Sequence, residues 1–159
     1  MKEKRIACFT GHRDIPKAHA MVLSSHLERE IVRQIESGAR IFRAGGAIGF
    51  DTVAALKVLE LKDKYPDIEL HLYLPCKDQT RGWSELCVRT YNYCLERADK
   101  VTYISEKYYS GCMLERDRRL VDGADVCIAY CTKSHGGTYY TCSYAQKSGV
   151  EVVNIAKKL

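Results

Sequence analysis

The chain has 159 residues, which is the length of one ordinary domain and is enough to bury a core, so we predict a single domain over residues 1–159. Its 25 lysines and arginines outnumber 20 acidic residues, and this mild excess is scattered along the chain. It suits an anionic small ligand as well as nucleic acid, whereas the lack of any long apolar run in the sequence excludes a membrane-spanning segment.

The start of the chain and its cysteines both bear on the cellular compartment. Met1 is followed directly by charged residues 2–5, so we predict no secretory segment and expect a cytoplasmic protein. None of the eight cysteines is spaced as CxxC, and Cys127 and Cys131, four apart, lack a second close pair. We interpret the cysteines as reduced structural residues and predict no metal site, with metal binding or redox sensing as the alternative.

Apolar strand patterns alternate with helical patterns along the whole chain. Strands are predicted over residues 5–9, 40–44, 69–74, 100–104, 125–130 and 151–155, and helices over residues 17–37, 50–64, 83–98, 113–122 and 138–148. The short apolar strands are typical of a parallel sheet covered on both faces. We therefore predict an α/β fold, a single Rossmann-like, doubly wound, mainly parallel sheet with helices on both faces. Such sheets bind ligands beyond the carboxyl ends of their strands.

The first candidate loop, TGHR, directly follows the first strand. Thr10 offers a hydroxyl, Gly11 a flexible backbone, His12 an imidazole, and Arg13 a guanidinium that can pair with a phosphate in bidentate fashion. A solvated surface turn is the alternative interpretation. The position of the loop at a strand end favours ligand binding.

A glycine-rich loop, GGAIGFD, joins the second strand to the second helix. Gly45, Gly46 and Gly49 allow backbone to approach a ligand, although the spacing is not that of the GxGxxG fingerprint. Asp51 falls in the first turn of the helix. There a carboxylate serves either as a favourable helix-start charge or as a partner for ribose hydroxyls, and the sequence leaves both roles open.

The third strand is followed by CKDQTRGW, which holds the only tryptophan of the chain. Gln79 offers an amide close to that strand end. Trp83 either stacks on a base beside these polar donors or anchors the packing of the next helix.

The fourth predicted helix carries three arginines in the segment MLERDRRLVD. Arg116 and Arg119 are three residues apart and share a face of the helix. A charge run on a helix is usually a solvated face, and we interpret Arg118 in this way. Arg116 is near the helix start, close to the predicted ligand edge, where we expect it to neutralise ligand charge.

A second glycine pair, in SHGGTYY, follows the fifth strand and opens the last helix. Gly136 and Gly137 allow a ligand to approach the free N–H groups of the first helical turn, where the helix dipole favours an anion. Thr138 adds a hydroxyl, and Tyr139 is a candidate for stacking on a base. Two such glycine loops in a short α/β chain indicate a nucleotide-like ligand held between them.

Taken in order, these motifs resemble the SLOG superfamily, and most closely its YpsA/YoqJ-like proteins of Gram-positive bacteria and their phages. The resemblance covers nearly the whole chain and rests on TGHR, GGAIGFD, Gln79 with Trp83, MLERDRRLVDGAD and GGTYYTCSYA. It implies a Rossmann-like fold and a nucleotide-derived ligand, such as NAD, ADP-ribose or a nucleoside phosphate. The resemblance brings no settled reaction.

The LOG-type phosphoribohydrolases, a more distant branch, cleave the base from a nucleoside monophosphate with an arginine in MxxRK and a glutamate in PGGxGTxxE. Met113 and Arg116 are similar to the first motif, although an aspartate replaces its lysine. In the second motif, residues 141–142 are threonine and cysteine where an acid is expected. Without that carboxylate no obvious group stabilises an oxocarbenium-like centre, although Glu115 or Asp51 is a candidate for a displaced acid.

We expect a protein that binds or senses a nucleotide-derived ligand and requires no cofactor; if it is phage-borne, the same site could sequester a signalling nucleotide. The first alternative is a nucleotide N-glycosidase with a relocated acid, in which Arg116 is the candidate catalytic residue. The second is single-stranded DNA binding, as in the DprA relatives of the superfamily. The sequence has neither their additional domains nor a concentrated basic stripe, so we do not expect nucleic acid or membrane as a partner.

A homodimer is the expected assembly, because relatives in the LOG branch associate through helices that flank the site. Tyr91, Tyr93, Tyr108 and Tyr109 are aromatic residues that such an interface could use. Packing within the core or at its rim explains these tyrosines equally well.

Overall fold

The computed structural model describes residues 4–159, so the first three residues of the charged start lie outside the described part of the chain. The strands are β1 (Arg5–Gly11), β2 (Ala39–Ala44), β3 (Glu69–Cys76), β4 (Lys100–Ser105), β5 (Val126–Tyr130) and β6 (Glu151–Asn154). The helices are α1 (Lys17–Glu36), α2 (Phe50–Leu61), α3 (Glu85–Arg97), α4 (Cys112–Val121) and α5 (Gly137–Lys147), followed by a 3₁₀ turn at Ile155–Lys158.

All neighbouring strands pair in parallel, in the order β4-β3-β2-β1-β5-β6. From β1 the chain adds strands in one direction as far as β4, and it then crosses back to place β5 on the other side of β1. The predicted doubly wound α/β fold is therefore confirmed. Because the direction reverses between β1 and β5, the carboxyl ends of these two strands diverge into loops on opposite faces and leave a crevice between them.

Two hydrophobic clusters cover the two faces of the sheet. Along β1, Ala7 and Phe9 belong to the larger cluster, with α1 and α2, whereas Cys8 belongs to the smaller one, with α4 and α5. Successive side chains of a strand point to opposite faces, so β1 contributes to both. The central strands are buried on both sides, which explains their continuous apolar sequence.

The third strand and the third helix differ from their predicted limits. The predicted strand end before Pro75 is wrong, because β3 continues through this proline to Cys76. Its pairing with β2 stops at Leu72, so the missing proline N–H falls beyond that ladder. The helix begins at Glu85 rather than at residue 83, since the Ser84 hydroxyl caps it by accepting the Cys87 N–H at 3.2 Å.

Within residues 4–159, none of the helices combines the length and the apolar character needed to cross a membrane.

Candidate functional site

A cleft of about 380 Å³ opens at the carboxyl edge of the sheet, at the point between β1 and β5 where the strand order reverses. Its walls come from the loop after β1 (residues 9–14), from Ala47 and Asp51, from α4 (Met113, Arg116, Asp117 and Leu120), and from the loop before α5 (Lys133, His135, Gly136, Gly137 and Thr138). This is the position at which open α/β sheets bind ligands, and the volume is of the order that holds small molecules.

The structure brings together part of the predicted site. The residues that line the cleft are Thr10, Gly11, His12, Arg13, Asp51, Arg116, Gly136, Gly137 and Thr138. The predicted residues that do not line it are Gly45, Gly46, Gly49, Gln79, Trp83 and Tyr139. The two glycine loops therefore differ, because only the loop before α5 has glycines that line the cleft.

Arg116 is held from several sides by the protein. It is 5% exposed; its Nε donates to Asp117 Oδ1 at 2.8 Å, and its Nη1 donates to the Gly45 carbonyl. Its Nη2 lies 3.8 Å from the sulfur of Met113. The guanidinium therefore ties α4 to the loop after β2 and carries a charge that Asp117 already balances in part.

Asp51 lies in the floor of the cleft, 7% exposed, where its Oδ2 accepts the Ala47 N–H at 3.3 Å. Burial, aided by the charge of Asp117, raises the pKa of this carboxyl to about 6, against the opposing influence of Arg116. A Cβ placed on Gly45 would be 2.8 Å from both Arg116 Nη1 and Asp51 Oδ2. Gly45 is thus the residue that lets the cation and the acid approach each other.

The raised pKa of Asp51 predicts a pH-dependent effect on stability. An aspartate in the unfolded chain titrates near 3.8, so ionising the buried carboxyl above pH 6 costs the folded state about 3 kcal/mol. We expect Asp51→Asn to raise the free energy of unfolding by about this amount at pH 8, with the gain shrinking as the pH falls from 6 to 4.

Urea denaturation at several pH values measures this difference. The matched control is Asp63→Asn, which changes an exposed aspartate and should give no such trend. A stability gain that is independent of pH would contradict the assignment to Asp51 ionisation.

His12 connects the two sides of the cleft. Its Nε2 accepts the Thr132 N–H at 2.8 Å, and its carbonyl accepts the Phe50 N–H, at the start of α2, at 3.1 Å. Burial, and to a lesser extent Lys133, lowers the pKa of His12, which favours the neutral ring that this bond requires. The histidine therefore holds the loop after β5 against the loop after β1.

The second glycine pair provides the open part of the cleft. Gly136 precedes α5 with φ +93°, and a Cβ built on Gly136 or Gly137 would have no described atom within 4 Å. Within the described chain no side chain caps α5, and no acid lies in its first turn. Its first N–H groups are therefore available to an anion, and the exposed cations of Arg13 and Lys133 line the same cleft.

The glycines of the first loop are packed against protein. A Cβ on Gly46 would meet Leu74, and one on Gly49 would meet the backbone of Arg13. Both glycines have positive φ angles, +73° and +84°. Their freedom allows the β2–α2 loop to pack closely against its neighbours.

Gln79, Trp83 and Tyr139 lie apart from the cleft lining. Gln79 is 7% exposed, and Trp83 packs edge-on against Tyr91 with ring centroids 5.6 Å apart. Tyr139 is 44% exposed on the first turn of α5. The structure thus shows Trp83 in contact with Tyr91, and its stacking on a base stays a prediction.

Of the tyrosines considered for an interface, Tyr93, Tyr108 and Tyr109 are exposed, whereas Tyr91 is partly buried. Because only one chain is described, the homodimer remains a prediction.

Sequence reasoning missed several residues of the cleft wall: Phe9, Asp14, Ala47, Asp117, Leu120, Lys133 and His135, together with Met113 as a lining residue. Lys133 and His135 had a usable signal, because they immediately precede the glycine pair in a strand-end loop. Asp117 had none, since its partnership with Arg116 is not apparent from two adjacent charges on a helix.

The cysteines are all free, and six of the eight are buried. Burial raises the pKa of Cys76 and Cys94 to about 11 and that of Cys142 to about 12. These thiols therefore stay protonated near neutral pH and react slowly.

Comparison with solved structures agrees with the fold. DNA processing protein A (DprA) of Streptococcus pneumoniae matches with a TM-score of 0.68 and 17% identity, covering 94% of this chain and 49% of that chain. DprA of Helicobacter pylori, whose structure was described for its single-stranded DNA binding mode, matches with a TM-score of 0.68 and 21% identity, covering 94% of this chain and 64% of that one. At this level of identity the likeness concerns the fold alone.

Comparison with curated sequences identifies bacterial relatives. A UPF0398 protein of Halalkalibacterium halodurans is 30% identical over an alignment that covers 67% of this chain and 60% of the relative. A UPF0398 protein of Brevibacillus brevis is 27% identical, covering 79% of this chain and 69% of the relative. The family model of the YspA SLOG family matches residues 7–155, nearly the whole chain and every element that builds the cleft. The match confirms the resemblance found in the motifs: this chain belongs to the YspA SLOG family.

Proposed function

We propose that the protein binds a phosphorylated, nucleotide-derived ligand in the cleft between β1 and β5. The observation that carries the proposal is the start of α5, where the uncapped N–H groups behind Gly136 and Gly137 belong to the cleft that Arg13 and Lys133 also line. Within the described residues neither of these cations takes part in an ion pair, so both can meet a phosphate.

The floor of the same cleft suits the sugar of such a ligand. Asp51 has one oxygen engaged by the Ala47 N–H, and Thr10 and Thr138 add hydroxyl groups to the walls. Carboxylates and hydroxyls are the usual partners of ribose hydroxyls. A ligand with a phosphate at α5 and a ribose towards Asp51 places each of its groups beside residues of complementary chemistry. NAD, ADP-ribose and nucleoside monophosphates all meet this description.

The test is calorimetric titration and melting of the purified protein with AMP, ADP-ribose and NAD. We expect at least one of them to bind, and Gly136→Asp to weaken its affinity at least tenfold, because a carboxylate beside the α5 N–H groups repels phosphate. Lys133→Ala should weaken it by roughly 10-fold or more, the value of one charged hydrogen bond.

Matched controls separate these effects from general damage. Gly149→Asp adds the same charge at a glycine with positive φ (+80°) beyond the far end of α5, and Lys147→Ala removes a lysine from the last turn of that helix. Both should bind as the unchanged protein does. If the whole panel fails to bind, or if the two control variants lose as much affinity as their counterparts, the proposal is wrong.

Turnover of the same ligand is the second candidate function, favoured by the pKa of Asp51 near 6. A carboxyl with that pKa is partly protonated near neutral pH and can donate a proton to the leaving base while water adds to C1′ of the ribose; the acid expected from the LOG-type motif is missing at residues 141–142. Thr141 instead donates its hydroxyl proton to the Gly137 carbonyl at 2.9 Å. Release of free base from AMP, detected by liquid chromatography and lost in Asp51→Asn, would establish the N-glycosidase.

Single-stranded DNA belongs in the same panel, because the Helicobacter pylori DprA structure was described for binding it. From the sequence alone we did not expect nucleic acid as a partner. The likeness to DprA is a reason to test it. Binding of an oligonucleotide that weakens steeply with salt would assign the cleft edge to nucleic acid rather than to a free nucleotide.

A further inference from the structure

Two polar side chains behind the first glycine loop have no hydrogen-bond partner within residues 4–159. Both amide atoms of Gln79, Nε2 and Oε1, are buried without a partner, and so is the hydroxyl oxygen of Tyr91. Gln79 as a whole is 7% exposed. Buried polar groups are almost always paired, so three unpaired atoms in one place call for a partner that arrives from outside the chain.

The two side chains lie together and next to the cleft. The Cβ position of Gly46 is 3.5 Å from Tyr91 Cε1 and 4.0 Å from Gln79 Oε1, and the next residue, Ala47, lines the cleft. Burial, together with Tyr103 and Cys76, raises the pKa of Tyr91, and Arg116, which also lines the cleft, opposes this to a smaller extent. The two glycines connect this spot with the cleft: the Cβ position of Gly46 faces Tyr91 and Gln79, and that of Gly45 faces Arg116 and Asp51.

The chemistry of the spot matches the edge of a nucleobase. The Gln79 amide presents one donor and one acceptor side by side, and the Tyr91 hydroxyl adds a group that can donate or accept. A glutamine amide forms a bidentate pair with adenine, whose N6 amino group donates while its N7 accepts.

We propose that Gln79 and Tyr91 form a base-recognition site for an amino-bearing base such as adenine, reached when the Trp83 ring turns away from Tyr91. The proposal rests on the function proposed above, since the base belongs to the same ligand. Residues 77–82 form turns, and three backbone bonds hold this region: Lys77 N–H to Glu106 O at 3.2 Å, Arg81 N–H to Asp78 O at 3.1 Å and Trp83 N–H to Thr80 O at 2.9 Å. In the proposed motion the Trp83 ring leaves Tyr91, while the Lys77 bond keeps the start of the segment in place.

The only tryptophan of the chain makes the site measurable, because Trp83 contacts Tyr91 directly. We expect AMP and adenosine to change the tryptophan fluorescence, and ribose 5-phosphate, which lacks the base, to leave it unchanged. Calorimetry should show AMP binding at least tenfold more tightly than ribose 5-phosphate. Gln79→Met should abolish this preference and leave the affinity for ribose 5-phosphate intact. Gln146→Met, a change at an exposed glutamine of α5, is the matched control.

Stability of the free protein provides a second readout. Replacing the unpaired amide with the similarly sized methionine should raise the melting temperature by about 4 °C in the absence of ligand. If Gln79 serves internal packing instead, Gln79→Met should lower the melting temperature. Tyr91→Phe, which removes only the hydroxyl, should weaken AMP binding and spare ribose 5-phosphate, and it serves if Gln79→Met does not fold.

The outcomes distinguish the two proposals. If ribose 5-phosphate and AMP bind equally well, and neither substitution alters that equality, the base site is wrong while the phosphate site stands. If none of AMP, adenosine and ribose 5-phosphate binds, the base site is wrong; if ADP-ribose and NAD do not bind either, both proposals fail. The base site is also wrong if the Gln79→Met variant has a lower melting temperature than the unchanged protein and prefers AMP to ribose 5-phosphate as strongly.

Discussion

Replacing Arg116 with methionine should lower the free energy of unfolding by about 3–5 kcal/mol, the usual cost of removing one partner of a buried ion pair. Methionine fills a similar volume but leaves Asp117 without its partner and the Gly45 carbonyl without a donor. It also removes the charge that counteracts the raised pKa of Asp51. Urea denaturation at pH 7 measures the loss.

A second substitution tests whether the loss comes from stranded charge. The double variant Arg116→Met with Asp117→Asn should recover part of the stability, since the unpaired carboxylate is gone. Arg119→Met, at an exposed arginine of the same helix, should change stability by less than about 0.5 kcal/mol. An Arg116→Met protein as stable as the parent would show that the guanidinium is dispensable for the fold.

Gly49→Ala should be comparably damaging, at about 3–5 kcal/mol, because strain and collision add together. Gly49 has φ +84°, which disfavours any side chain, and a Cβ there would lie 2.6 Å from the Arg13 Cα. The collision involves backbone, which cannot rotate away as the end of a side chain can. The loss is measured by the shift in the midpoint of urea denaturation.

Gly149→Ala is the control that isolates the collision. Its φ of +80° is nearly the same, but a Cβ there would meet no described atom within 4 Å. It should cost only the conformational strain, about 1–2 kcal/mol. If both variants lost the same free energy of unfolding, the β2–α2 loop would have shifted to accommodate the added Cβ without further destabilisation.

The fold was predictable because its signals are local. Short apolar runs such as residues 126–130, separated by helical patterns and glycines, fix both the element types and the parallel arrangement. The strand and helix limits that the sequence predicted wrongly depend on contacts with other parts of the fold. Pro75 remains in its strand because β2 pairing has already stopped at Leu72, and no local pattern reports the length of a neighbouring strand.

The sequence predicted which loops form the site, but it did not predict which of their residues face the cleft. A sequence shows that Gly45 and Gly136 are glycines at strand ends, and it does not show which one faces solvent. The structure places Arg116 and Asp51 against the former and leaves the latter open, because α4 packs over the β2 side of the cleft. Arg116 lines the cleft and also binds Asp117 and the Gly45 carbonyl. Its place in the helical pattern does not reveal these partners.

The order of the strands also decides when during synthesis the cleft can first exist. β1 is made well before β5, yet the two strands are neighbours in the sheet, and their pairing joins Ala7 to Val126. Until that late segment leaves the ribosome, β1 is an edge strand of a partial sheet, with its amide and carbonyl groups unpaired on one side. The cleft between these two strands therefore cannot form until β5 has been made and has paired with β1.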